Sequence, residues 1–106
     1  MDLYTAIADP TRRRIIESLS TGEHSFGELA GEFEMSRPAV SQHLKVLRDT
    51  GLVSVRADAQ RRIYRLNGAR LAELDSWLGK VRSFWAEHLE RLDQAIQATT
   101  EEGEQE

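Results

Sequence analysis

Two short helical segments joined by Glu34-Met35 constrain this chain more than any other feature of its sequence. Ser25-Phe26-Gly27-Glu28 has the form of a capping box: a serine hydroxyl takes an early helical amide, and the glutamate three residues on reaches back to the serine. Phe26, Leu29, Ala30 and Phe33 then follow at i, i+3, i+4 and i+7, which is one face of a helix. Ser36 is placed to cap a second helix, with Pro38 tolerated in its first turn and Val40, Leu44 and Leu47 along one side. Thr50-Gly51 ends it. Helices this short and this tightly joined cannot lie antiparallel and pack well, so they cross steeply.

The flanks extend the pattern. Leu3, Tyr4, Ile7 and Ala8 have helical spacing and stop at Asp9-Pro10, where Asp caps and Pro is preorganised for the first turn of a new helix. Ile15, Ile16 and Leu19 form the stripe of that helix, and Thr21-Gly22 closes it. Beyond Gly51, Leu52-Val53-Ser54-Val55-Arg56 and Arg62-Ile63-Tyr64-Arg65-Leu66 read as two strands, with residues 57–61 as their turn. Helix, turn, helix and hairpin is the order of a winged helix. The expected fold class is therefore mainly α with a small β-hairpin, a winged helix-turn-helix.

From Asn67, a candidate N-cap, the pattern is helical to about Thr99, on the order of 45 Å of helix. Leu71, Leu74, Leu78, Val81, Trp85, Leu89, Leu92 and Ile96 recur at threes and fours, and Trp77 and Phe84 widen the stripe. So long a stripe exceeds what one small domain covers, and a second copy of the chain is the economical partner. The 106 residues fit one domain over 1–99, followed by an acidic tail over 100–106 expected to be disordered. No run approaches a membrane span and no secretory signal opens the chain, so a cytoplasmic protein with no membrane partner is expected. Cysteine is absent, which removes disulfides, thiolate metal sites and thiol redox sensing together.

The net charge of -4 conceals a strong asymmetry. Residues 36–70 carry eight bases against two acids, whereas 1–35 carry three against seven and 71–106 three against nine. The field a partner feels is local, so the middle third faces a polyanion or is a solvated basic surface. On the helix from Ser36, the side opposite the apolar one holds Pro38, Gln42, Lys45 and Asp49, with Ser41 on its flank. Gln42 can pair with adenine, Arg37 with guanine, and Ser41 bonds permissively; the alternative is a merely solvated face. Arg56, Arg61, Arg62 and Arg65 bracket the hairpin turn, where they suit the sugar-phosphate backbone or minor groove, although Arg65 can instead point inward. Arg12, Arg13 and Arg14 either face a phosphate or pair with Asp9 and Glu17. His43 borders the core face, as a groove contact or a structural hydrogen-bonding residue.

Ala8-Asp9-Pro10-Thr11-Arg12-Arg13-Arg14-Ile15-Ile16, the run from Ser36-Arg37-Pro38 to Val46-Leu47, and Gly51-Leu52-Val53 resemble the bacterial ArsR-type repressors. Phe84-Trp85 in the last helix is similar to their metal-independent branch. The resemblance implies a homodimeric repressor on a palindromic operator in double-stranded DNA, with helix 36–50 in the major groove and the 52–66 wing at its flank. It implies DNA contacts from Ser36, Arg37, Pro38, Ser41, Gln42, His43, Lys45, Arg56, Arg61 and Arg62. It also implies that the first and last helices form the dimer, through Leu3, Tyr4 and Ile7 with Leu74, Trp77, Leu78, Val81, Phe84, Trp85 and Leu92.

Two departures from the family pattern matter. The wing turn holds Asp58-Ala59-Gln60 where many members have Gly, so it must be longer or strained. In the register of one metal-sensing pattern the last helix offers Asp75, Trp77, His88 and Arg91, which lacks two ligands and puts a cation at the site; no metal and no cofactor are expected. No arrangement of catalytic groups appears, so an enzyme is not expected. Two alternatives stay open: a repressor gated by a small-molecule inducer in a pocket beside Trp77 and Phe84, and a winged-helix module that binds protein.

Overall fold

Side-chain caps punctuate the first half of the chain in a computed structural model that describes residues 1–104. Asp2 Oδ1 accepts from the Thr5 amide at 2.8 Å and opens α1 (Leu3–Ala8). Asp9 Oδ2 accepts from the Arg12 amide at 2.9 Å and opens α2 (Pro10–Leu19), with Pro10 at its first position. The capping box before α3 (Phe26–Glu32) is complete: Ser25 Oγ accepts from the Glu28 amide at 3.1 Å, and Glu28 Oε1 accepts from the Ser25 amide at 3.1 Å. Ser36 Oγ takes the Ala39 amide at 3.2 Å to open α4 (Arg37–Asp49). Each cap satisfies an amide that the helix itself leaves without a partner.

The end of α4 is equally defined. The Leu52 amide donates to the Leu47 carbonyl and the Gly51 amide to that of Arg48, both at 3.0 Å, the paired bonds of a Schellman close. Gly51 sits at φ +81°, a backbone conformation that calls for glycine, and a Cβ there would come within 3.1 Å of Arg70 Nε. Between these stops Val40, Leu44 and Leu47 are buried with Ile15, Leu29 and Leu52, and α4 packs on α1, α2, α3 and β2.

The sheet has one strand more than the sequence pattern suggests. β1 (His24–Ser25), β2 (Val53–Asp58) and β3 (Arg61–Leu66) are antiparallel in the order β1-β3-β2, with Ser25 opposite Ile63 and His24 opposite Tyr64. Two residues are too few to show an alternation, so β1 exists only through its pairing. The hairpin turn is shorter than the expected 57–61: Asp58 pairs with Arg61, leaving Ala59-Gln60 as a two-residue loop. Of the two expected outcomes, a longer turn or a strained one, the second holds, because Ala59 has φ +56°. Positive φ at the first central residue is where glycine is the usual choice.

The last helix, α5 (Gly68–Glu104), starts against the end of α4. Asn67 Oδ1 accepts from the Ala69 amide, Asn67 Nδ2 donates to the Gly51 carbonyl at 2.9 Å, and Arg70 Nε to that of Thr50 at 3.0 Å. Residues 100–104, expected within a disordered tail, continue the helix, since nothing before Gly103 breaks it and extending a formed helix needs no new nucleus. Gln105 and Glu106 lie outside the described residues.

The chain divides into two units, Met1–Leu71 and Ala72–Glu106. In the second, Leu78, Phe84, Trp85, Leu89, Leu92 and Ile96 are exposed, Phe84 to 66%, while Leu74 and Val81 are half-buried. Phe84 meets Trp85 edge to face at 6.1 Å between centroids. In the first, Tyr4 is exposed and Ile7 half-buried, but Leu3 is 4% exposed. Leu3 therefore packs in the core of its own protomer.

Ala59→Gly should stabilise the fold by about 0.5 to 1 kcal/mol, because relief of a positive-φ alanine outweighs the added freedom of the unfolded chain. Thermal or urea unfolding of the two proteins measures this, and an unchanged or lower midpoint would contradict strain at the turn.

Candidate nucleic-acid interface

At about 100° per residue, the exposed surface of α4 divides into two flanks. Arg37, Ser41, Lys45 and Arg48 lie along one, and Pro38, Gln42 and Asp49 along the next. The first flank faces β3 across a furrow made of two adjoining cavities. One, of about 430 Å³, is lined by residues that include Phe26, Arg37, Ser41, Arg61, Arg62 and Tyr64. The other, of about 210 Å³, is lined by Ser41, Leu44, Lys45, Arg48, Arg62 and Tyr64. Ser41, Arg62 and Tyr64 belong to both, which makes the furrow continuous. Five cations line it and no acid does.

Backbone pairing builds the furrow. β1 bonds to β3 and runs directly into α3, so Phe26, the first residue of that helix, is held beside the wing. The Arg37 guanidinium lies 5.1 Å from the Phe26 ring centroid, a cation–π contact that steadies a long side chain. Tyr64 is buried at the floor. At the tip, Arg61 Nη2 lies 3.7 Å from Asp58 Oδ2, an exposed pair too weak to hold the arginine from a stronger anion.

Several expected contacts are employed elsewhere. The Ser36 oxygen accepts the capping amide of Ala39, and its O–H can still donate. Arg56 Nη2 donates to Glu23 Oε2 at 2.9 Å, turned toward the α2–β1 loop. His43, half-buried, has Nδ1 3.8 Å from Asp9 Oδ2 and 3.5 Å from Arg12 Nη1, so this ring nitrogen faces α2. The Arg12 side chain closes the end of α1, where Nε donates to the Ala6 carbonyl at 2.6 Å and Nη2 to that of Thr5 at 3.4 Å, while its charge also acts on Asp9. Arg14 lies over the Phe33 ring at 4.9 Å. Arg65 Nε donates across the hairpin to Ser54 Oγ at 3.2 Å.

The structure thus brings Arg37, Ser41, Lys45, Arg61 and Arg62 together and sets Pro38 and Gln42 on the neighbouring flank. It adds Arg48, Tyr64 and Phe26, which sequence reasoning misses. Arg48 was open to discovery, since eleven residues after Arg37 return to the same side of a helix. Tyr64 and Phe26 depend on β1, which left no signal. Among the described residues, no group of three His, Cys, Asp or Glu is placed to hold a metal, and no helix is long and apolar enough to cross a membrane.

Two helices joined by a short turn, the second with an open polar surface beside a basic β-hairpin, define a winged helix-turn-helix domain. Residues 9–55 match the family of the bacterial regulatory protein, arsR family. The chain is 45% identical to the HTH-type transcriptional regulator Rv2034 of Mycobacterium tuberculosis, over 88% of this chain and 84% of that protein. It is 34% identical to the transcriptional repressor SdpR of Bacillus subtilis, over 73% and 86%. The crystal structure of a possible transcriptional regulator for arsenical resistance aligns with a TM-score of 0.70 at 44% identity, over 83% of this chain and 88% of that one. The chain belongs to the ArsR family, and is a DNA-binding transcriptional regulator and not an enzyme.

The cap carboxylates give the domain a defined acid limit. Asp9 is held below the usual carboxylate range by the Arg12 amide, with the Arg12 and His43 charges adding to it and desolvation opposing. Glu28 is lowered by hydrogen bonds from Ser25 and His24, and Asp2 by the Thr5 amide. A carboxylate depressed on folding stabilises the folded state above its unfolded value, and that stability is lost as pH falls through the folded one. Unfolding midpoints should therefore drop as pH falls below about 4, where an unfolded carboxyl protonates, and Asp9→Asn should flatten this limb. An equally steep limb in the variant would remove Asp9 from the account.

Proposed function

We propose that the protein is a homodimeric repressor that acts in the cytoplasm on an imperfectly palindromic operator, with α4 in the major groove and the β2–β3 wing at its flank. The observation that carries this is the acid-free basic furrow beside the Gln42 flank of the same helix: one surface for backbone, one for bases. A module that binds only protein has no use for that pairing. Dimerisation is supported by the apolar residues exposed along α5 from Trp77 to Ile96, a contiguous patch of the kind that marks an association surface. Repression is supported by the naming of the Bacillus subtilis relative as a repressor.

Two α4 helices related by a two-fold meet successive major grooves, so footprinting should reveal two related half-sites about 10 bp apart or a small multiple of that. A single unrepeated half-site would sink the dimer on an operator. Phe84→Ala with Trp85→Ala should lower dimerisation, read by sedimentation, and operator affinity together. If the variant stays dimeric with full affinity, the α5 stripe is not the interface.

A further inference from the structure

We infer that the furrow between α4 and β3 seats the single DNA strand that divides the two grooves, and that Arg37 and Arg48 contact its phosphates, so that Arg37 is not a base-reading residue. This rests on the DNA reading above and goes further by assigning each flank of α4 a different part of the duplex.

Duplex geometry sets the requirement. A helix in the major groove and a wing at its flank lie on opposite sides of one sugar-phosphate strand, so that strand must pass between them. The space between them here is the furrow. Its lining includes Arg37, Lys45, Arg48, Arg61 and Arg62 with no acid, in a chain whose net charge is -4. A row of phosphates, each with one negative charge, is the polyanion that such a lining fits.

Arg37 and Arg48 mark the length of the seat. Eleven residues apart, they lie on the same side of α4 and about 16 Å apart along its axis. Among the described residues, no ion pair engages either of them. Gln42, by contrast, lies about 140° around the helix from Arg37. A guanidinium placed over the Phe26 ring, at the wing side of α4, is turned away from base edges that the Gln42 flank would meet. Phe26 is itself fixed by the capping box and by the β1–β3 pairing. The sequence alone suggests guanine recognition for Arg37; the side chain's surroundings favour backbone.

The test uses the full-length protein and its selected operator duplex, with affinity measured across a salt series and across single-base variants of the site. Arg37→Ala and Arg48→Ala should each flatten the slope of log affinity against log salt by about 0.9 for every phosphate left without its cation, hence about 1.8 for a symmetric dimer. The ranking of base variants should not change. Gln42→Ala should reorder that ranking and keep the slope. Arg37→Lys should restore most of the slope, which separates charge from folding, and a neutral methylphosphonate at one step per half-site should weaken wild type but not Arg37→Ala further. The inference is overturned if Arg37→Ala relaxes preference at a guanine with its salt slope intact, or if Arg48→Ala leaves the slope unchanged. Failure of wild type to prefer any sequence would instead refute the operator reading, while the slopes on arbitrary duplex would still decide the seat.

Discussion

The burial of one face of α4 is the constraint from which the rest follows. Val40, Leu44 and Leu47 are held among residues from α2, α3 and the start of β2, with Ser36 stopping the helix at one end and Gly51 at the other. A helix so anchored cannot rotate without exposing three large side chains, at a cost of several kcal/mol by usual burial values. Its polar flanks are thereby aimed without any interaction of their own. The polar residues remain free to bind because the apolar ones do the positioning.

Charge placement depends on the same arrangement. The chain is acidic as a whole, but the elements with the basic residues, α4 and the wing, meet along a furrow that excludes acids. Several acids elsewhere in the domain have partners of their own: Asp9 and Glu28 in caps, Glu23 with Arg56 and Asp58 with Arg61. Arginines not needed for binding close structural gaps, as Arg12 does at the end of α1 and Arg70 at the end of α4. Identical side chains thus take opposite roles according to which carbonyl, ring or acid lies within reach.

The Asp9, Arg12 and His43 cluster connects three helices. Arg12 bonds the last carbonyls of α1, Asp9 caps α2, and both approach His43 on α4. The helix that walls the furrow is thus linked on its far side to α1 and α2. This is a positioning role.

Caps, stripes and stops are local, repeated signals, and whatever depends on them was legible in the order of residues: the four short helices and the long one, the hairpin, the buried side of α4 and the glycine at its end. A strained wing turn was legible too, provided the turn was short, because Ala59 has a Cβ where glycine would not. The remainder waited on contacts between residues far apart in the chain, which folding alone brings together. β1 is two residues long and forms only because β3 is there to bond it. Leu3 turns inward, His43 turns toward Asp9, and Arg12 finds carbonyls six and seven residues back in the chain. The division of α4 into a phosphate side and a base side was implicit in its periodicity. Which side was which depended on where the wing packed, and no periodicity within one helix carries that information.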